Sequence, residues 1–386
     1  MKKHQLAAMV LSALSAGILI SCSKPTDESQ GTTKEQAATG DTVQDIQAQT
    51  DSADSSHGNA VKSQVIQVED AQLKSYLSQV AQNQIIADYA QVLQHSQALN
   101  KLATDSCQAG SGADAQQLEA LRQQWLDLAS AWAQAEIVNF GPAMDSMSNL
   151  YINYFPDERG LVHQGVIDLI TAKPNLTAEQ LASESAVVQG IPGLEEVLYS
   201  NDRLTQAQCQ YVMSASEALS MRLDQVLQSW QAQSVALLGV TDADSKPGLN
   251  RWINSVLSLI ETTKSSSLDQ PLGLTGNKKG HLPAQAAGQS RTIINAKVEA
   301  LNKALTDPEL IAILAAGEQE AVADRLSGLL AQTSTMLAEL PEDIAQATPE
   351  QQKALYDKLT ELTQLIKRQL MPTLGVQVGF NSTDGD

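Results

Sequence analysis

The sequence predicts an all-α protein built as two tandem four-helix-bundle-like domains. Three observations predict it. Aromatic residues are only 4% of the chain while Ala, Leu and Gln dominate, which favours helices packed by aliphatic side chains over a β-sandwich. Apolar residues recur at three- and four-residue steps through long stretches. No segment shows sustained alternation of apolar and polar residues.

The chain opens with Lys2 and Lys3, followed by an apolar stretch from Leu6 to Ile20 and then Ser21-Cys22. The stretch is shorter than the roughly 20 residues a membrane span needs, but it suits a secretory leader. Leu19-Ile20-Ser21-Cys22 resembles a bacterial lipobox, so residues 1–21 are expected to be a lipoprotein signal, with lipid on Cys22. A diacylglycerol plus an N-acyl chain buries enough CH₂ groups, at about 0.8 kcal/mol each, for stable anchoring. Ser23, rather than an aspartate, follows the cysteine, which favours the outer membrane, with the protein facing the periplasm. Residues 22–60 are rich in Ser, Thr, Asp, Gln and Gly and read as a disordered tether.

Leu73, Tyr76, Val80, Ile86, Tyr89 and Leu93 mark a first helical stripe that ends near Asp105, with Gly110 and Gly112 in the loop beyond. A second runs Leu118, Leu121, Trp125, Leu128, Trp132, Ala135 and is stopped by Gly141-Pro142. A looser segment reaches about Pro174, with Asn153, Pro156, Asp157 and Gly160 as breakers. Thr177-Ala178-Glu179-Gln180 has the capping-box pattern and restarts a helix. Gly190-Ile191-Pro192-Gly193 interrupts it, and 194–199 returns to helix. Val212, Ala215, Leu219, Leu223, Val226 and Trp230 form a long stripe. Residues 241–248 read as a boundary, dividing the folded chain into 61–240 and 241–386. Beyond it lie a stripe from Leu249 to Ile260, a loop marked by Pro271, Gly273, Gly276, Gly280 and Pro283, and helices over 293–305, 322–340 and 355–370. Thr348-Pro349-Glu350-Gln351 starts the last with a capping box and a proline in its first turn.

The formal charge of −19 becomes −21 once Lys2 and Lys3 leave with the leader. Such a surface repels nucleic acid, so no nucleic-acid partner is expected. With Cys22 taken by lipid, Cys107 and Cys209 remain in an exported chain, where disulfides persist. They are expected to pair; two separate buried thiols are the alternative.

The five histidines, His4, His57, His95, His163 and His281, have no Glu or His three or four residues on, so the zinc-protease helix pattern is missing. There is no Gly-x-Ser-x-Gly elbow, phosphate loop or dinucleotide fingerprint. No catalytic residue is assigned. Three constellations remain. In Gly190-Ile191-Pro192-Gly193-Leu194-Glu195-Glu196 a backbone break precedes two carboxylates, which a helix dipole alone would also favour. Phe140-Gly141-Pro142 with Asp145 is either a helix stop or part of a site. The tail through Asp384-Gly385-Asp386 carries oxygen ligands suited to a hard cation, or is a solvated end.

Together these pieces resemble the imelysin-like family, named after an insulin-cleaving metallopeptidase. Trp125 and Trp132 leading into Phe140-Gly141-Pro142 match its early marker. Gly190, Glu195, Leu198 and Tyr199 match its Gly-x-His-x-x-Glu segment. Pro271-Leu272-Gly273 resembles its Pro-Leu-Gly element, and Gly288-Gln289-Ser290 its Ser-Gly-x-Ser helix start, with Ala287 in place of the first serine. Val378-Gly379-Phe380 through Asp386 resembles its terminal signature. The resemblance implies two helical bundles with a site between them, in an exported protein linked to iron or other metal uptake; it does not imply proteolysis for most members.

One departure matters. The motif histidine is Pro192, which offers no side-chain ligand, whereas zinc, copper and iron favour imidazole. The expected interdomain site therefore comprises Gly190, Pro192, Glu195, Glu196, Asp145, Ser290 and Asp384, with Glu195 as the one motif ligand for a divalent or iron cation. The reading is a membrane-anchored periplasmic binding lipoprotein; its partners are the lipid anchor and either a metal ion or an envelope protein. A module that binds a partner protein or a non-metal ligand in the same cleft is the alternative, with a metallopeptidase behind both.

Overall fold

The computed structural model describes residues 65–107 and 112–379. The leader, Cys22, the tether and Asp384 lie outside the described residues. The described residues form one compact unit, and their secondary structure is helical apart from one isolated β-bridge. No helix among the described residues is long and apolar enough to cross a membrane.

Helices α1 (Asp70–Gln79) and α2 (Ala87–Ser106) are spliced by a π-helical turn, Val80–Ile86. The turn explains the six-residue step in the first apolar stripe. Its wider ladder takes in an extra residue, so Ile85 is the one that is fully buried and Ile86 only packs against the core. Helix α3 (Ala115–Ala135) starts on a capping box, Asp114 to Gln117. It lies against α2, which also packs along the long α8 (Gln206–Leu238).

Between α3 and α8 the segment expected to be loose as far as Pro174 contains two real helices, α4 (Ser148–Ile152) and α5 (Leu161–Ala172), and the expected helices follow as α6 (Ala178–Ala182) and α7 (Gly190–Tyr199). Asp157, read as a breaker, is a cap. Its buried carboxylate accepts the N–H groups of Leu161 and Val162, both at 2.9 Å, and so starts α5. The Gly190–Gly193 tetrapeptide does not interrupt a helix either. It forms the first turn of α7, where proline removes no hydrogen bond and causes no kink.

Gly239 ends α8 in the left-handed region, and α9 (Lys246–Lys264) follows, with Pro247 in its first turn. The intervening loop is tied to α1, because the Ser245 N–H donates to Asp70 Oδ1 at 2.9 Å. A second π turn, Ser265–Asp269, joins α9 to α10 (Gln270–Leu272). Then come α11 (Ser290–Leu305), α12 (Pro308–Ala316), α13 (Glu320–Ala338), α14 (Pro349–Leu365) and, through a third π turn at Ile366–Leu370, α15 (Met371–Leu374). α12 is not among the expected helices; Asp307 caps it through the Glu309 and Leu310 N–H groups.

One apolar core runs from Leu73 to Val376 and passes the 241–248 loop without a break. α11 packs on α3 and α1 packs on α9, so residues 61–240 and 241–386 share it. A smaller cluster around Leu268, Val298, Leu337 and Leu355 fills the far end. The segment before α1 is tied to α15, with the Ile66 N–H donating to the Thr373 carbonyl at 2.9 Å.

Cys107, at the end of α2, and Cys209, in the first turn of α8, form the expected disulfide, with Cα atoms 5.4 Å apart. The bridge spans a sequence separation of 102. Closing a loop of that size removes about 4–5 kcal/mol of unfolded-chain entropy. Reduction should therefore lower the melting temperature sharply, which differential scanning calorimetry with and without a phosphine reductant will read. An unchanged transition in fully reduced protein would contradict this role.

Candidate functional site

The site is built on the first turns of α7. Gln189 is extended and Gly190 takes φ +67°. A side chain at 190 would be strained by that backbone, and its Cβ would lie 2.2 Å from the Ile152 carbonyl oxygen. Glycine thus lets α7 start directly against the end of α4. Two buried side chains hold the entry: Trp125 Nε1 donates to the Ile191 carbonyl at 3.0 Å, and the Tyr211 hydroxyl donates to the Val188 carbonyl at 2.9 Å.

One turn on, Glu195 points into the protein and is 9% exposed. Its Oε1 accepts the backbone N–H of Ala287 at 3.2 Å, across from the other half of the chain. Burial pushes its carboxyl up to about 7. The N–H groups of Ala287 and Ala286 oppose that rise, and the charge of neighbouring Glu196 adds to it. Glu196 faces outward, 2.7 Å from His163 Nδ1, and accepts the Ser200 hydroxyl at 2.7 Å.

Three adjoining cavities surround these groups. The central one, about 40 Å³, is walled by Trp125, Trp132, Pro192, Glu195, His281 and Lys297. An outer one of about 210 Å³ shares Pro192, Glu195 and His281 with it and adds Asp157, His163 and Glu196. An inner one of about 190 Å³ shares Trp132, Glu136, Asn153, Phe155 and Lys297. Both halves of the chain supply walls to all three.

Sequence reasoning missed the ion pair at the junction. Lys297, only 4% exposed, holds its Nζ 2.7 Å from Glu136 Oε2. The other carboxylate oxygen of Glu136 accepts Trp132 Nε1 at 2.9 Å and Asn153 Nδ2 at 2.8 Å. The ammonium lies over the Phe155 ring, 5.9 Å from its centre. A signal for Lys297 was present: it stands four residues after Ile293 and four before Leu301, on the buried stripe of α11.

Of the expected site residues, Gly190, Pro192, Glu195 and Glu196 come together. Asp145 does not join them. It is exposed on a short 3₁₀ turn, Asp145–Met147, and lines none of the three cavities. Ser290 is buried elsewhere, its Oγ accepting the Ile344 N–H at 2.9 Å and so tying the start of α11 to the 344–346 turn. Phe140-Gly141-Pro142 borders the inner cavity through its neighbours Asn139, Ala143 and Met144. Gly141 has φ +73°, and Phe140 packs edge-on against Trp230.

A cation does not fit this donor set. Among the described residues, no group of three or more His, Cys, Asp or Glu side chains could hold a metal ion. His281 Nδ1 lies 2.9 Å from the Leu282 carbonyl, and the Glu136 carboxylate in the central cavity is taken up by the Lys297 ammonium. The arrangement can bury a polar organic group between a neutralisable carboxyl and a fixed cation.

Glu195 makes stability depend on pH in a defined direction. Its carboxyl rises from an ordinary 4.5 to about 7 on folding. The resulting stabilisation is present in full below 4.5 and is lost as pH climbs through about 7, where the unfolded chain is ionised and the folded one becomes so. The rise corresponds to about 3 kcal/mol at most. Glu195→Gln should gain stability relative to the parent by up to that amount between pH 4.5 and 7.5, read from urea midpoints. A difference that stays constant with pH would show that the carboxyl is not held neutral.

The imelysin family model matches residues 85–369. The crystal structure of an imelysin-like protein from Psychrobacter arcticum 273-4 is 57% identical, with a TM-score of 0.80, covering 82% of this chain and 99% of that one. A structure from Parabacteroides distasonis ATCC 8503, named as a putative iron-regulated protein A precursor, is 11% identical with a TM-score of 0.61, covering 78% of this chain and 95% of its own, and shares the fold. No curated protein matches the chain. With most of its length matched by the family model and a 57% identical imelysin-like relative, the chain belongs to the imelysin family.

Proposed function

We propose that this protein is a non-enzymatic binding lipoprotein of the cell envelope, held by lipid on Cys22 to the outer membrane and facing the periplasm. Its ligand occupies the cleft at Glu195, and its role is in iron-related uptake. The observation that carries the reading is Glu195 itself, a buried carboxyl aimed at the opposite half of the chain and bordered by two cavities. The envelope assignment rests on the leader and Cys22. The iron link rests on the family and on the name carried by the Parabacteroides structure.

The occupant is an organic ligand or a complexed metal rather than a bare cation. Pro192 replaces the motif imidazole, and the second carboxylate in the wall, Glu136, is already taken by Lys297, which leaves Glu195 as the one unpaired acidic group of the central cavity. The same replacement weighs against a peptidase, which needs a metal-activated water and a base.

A deletion strain grown under iron depletion tests this. Growth should fall and be restored by the wild-type gene. Neither Cys22→Ala, which removes the lipid, nor Glu195→Gln, which removes the ionisable anchor, should restore it fully. Calorimetry on the purified chain with ferrous, ferric and zinc ions should show no saturable binding. A deletion strain that grows like its parent, or full rescue by Glu195→Gln, would overturn the reading.

A further inference from the structure

The inner compartment has the makings of a separate recognition site. It holds about 190 Å³; an apolar cavity of about 150 Å³ is enough for benzene. Its walls are apolar over much of their extent, with Trp132, Leu150, Phe155 and Leu259 among them. Two polar groups stand out in this lining.

The first is Lys297. An ammonium has three N–H donors, and Glu136 is the carboxylate that pairs with this one. Glu136 is fully engaged, taking Trp132, Asn153 and Lys297 on its two oxygens, so it has little to offer a ligand. The second is Ser267. Its side chain is 0% exposed, it lines the same cavity, and its buried hydroxyl has no hydrogen-bond partner. An unanswered buried hydroxyl is costly and uncommon. Ser267 also lies in the π turn that ends α9, Ser265–Asp269. Such turns cost ladder regularity and occur often at functional sites.

Of these two groups the ammonium can only donate, and the unanswered hydroxyl can donate beside it, in a chamber that is aromatic and aliphatic over much of its wall. We infer that the inner compartment binds a small organic molecule of about one ring in size, with a hydrogen-bond-accepting head, carboxylate or carbonyl, placed between Lys297 and Ser267 and an apolar body against Trp132 and Phe155. This deepens the binding role proposed above and rests on it, because the chamber opens onto the same junction as Glu195.

The test uses four one-ring probes against the ¹⁵N-labelled mature chain: benzoate, benzamide, benzylamine and toluene. Trp132 alone among the tryptophans lines the inner cavity, and its indole N–H already donates to Glu136. Benzoate and benzamide should shift the Trp132 indole signal and leave Trp230 and Trp252, buried in the core, unmoved. Ser267→Ala sacrifices no existing hydrogen bond, so it should fold normally and weaken benzoate by about fivefold. Lys297→Met should remove binding, and the folding-neutral serine variant keeps the test valid should the lysine variant fail to fold. The inference falls if no probe moves Trp132, if toluene or benzylamine binds as well as benzoate, or if Ser267→Ala binds like the parent. Loss of binding in Glu195→Gln with none in Ser267→Ala would put the probe in the Glu195 cavity, overturning this inference while leaving the proposed function intact.

Discussion

A lysine on the inward face of a helix is tolerable only when its charge is answered, and in this protein Glu136 answers Lys297. The pair joins the end of α3 to the middle of α11, and through those helices the two parts of the chain on either side of the 241–248 loop. Removing one member of such a pair typically costs about 3–5 kcal/mol, because the other is left charged and unsolvated. Trp132 and Asn153 complete the hydrogen bonding of Glu136, so the carboxylate has no spare oxygen to seek elsewhere. The junction is therefore a polar knot against the apolar core, and the central and inner cavities open from it.

The α7 entry works by a different constraint. Gly190 adopts a conformation that side chains resist, and this lets the helix begin flush against the Ile152 carbonyl. Pro192 then occupies a position whose N–H would go unused, so the loss of the motif histidine does not disturb the helix. The residue at 192 lines the cleft while the helix that aims Glu195 is held by other contacts, so what the wall offers and where Glu195 points are set separately.

Much of the helical layout was legible because apolar spacing along a helix is a local property. The stripes through Leu118–Ala135 and Val212–Trp230, and the capping boxes at Thr177 and Thr348, appear where the spacing put them. Asp157 was misread because a carboxylate before a glycine looks alike as breaker and as cap; only the geometry of the Leu161 and Val162 N–H groups separates the two. Glu195 could be singled out from its motif, but the Ala287 contact could not, since a backbone donor carries no side-chain signature. The partnership of Glu136 with Lys297 joins residues far apart in the chain and leaves only a hint, a charge on an apolar stripe. Asp145 and Ser290 were drawn in by their nearness to family markers, and nearness in sequence did not translate into facing the cleft.

The π turns at Val80–Ile86, Ser265–Asp269 and Ile366–Leu370 each carry a residue more than a regular α-helical ladder would need. Excising one residue from the middle turn would let the ladder close into regular α-helix between α9 and α10. Ser267 would then be absorbed into ordinary helix, and the wall it lends to the inner chamber would change. Chain length at this point is thus as much a determinant of the chamber as residue identity, and a one-codon deletion among relatives would be a change of binding surface rather than a neutral trim.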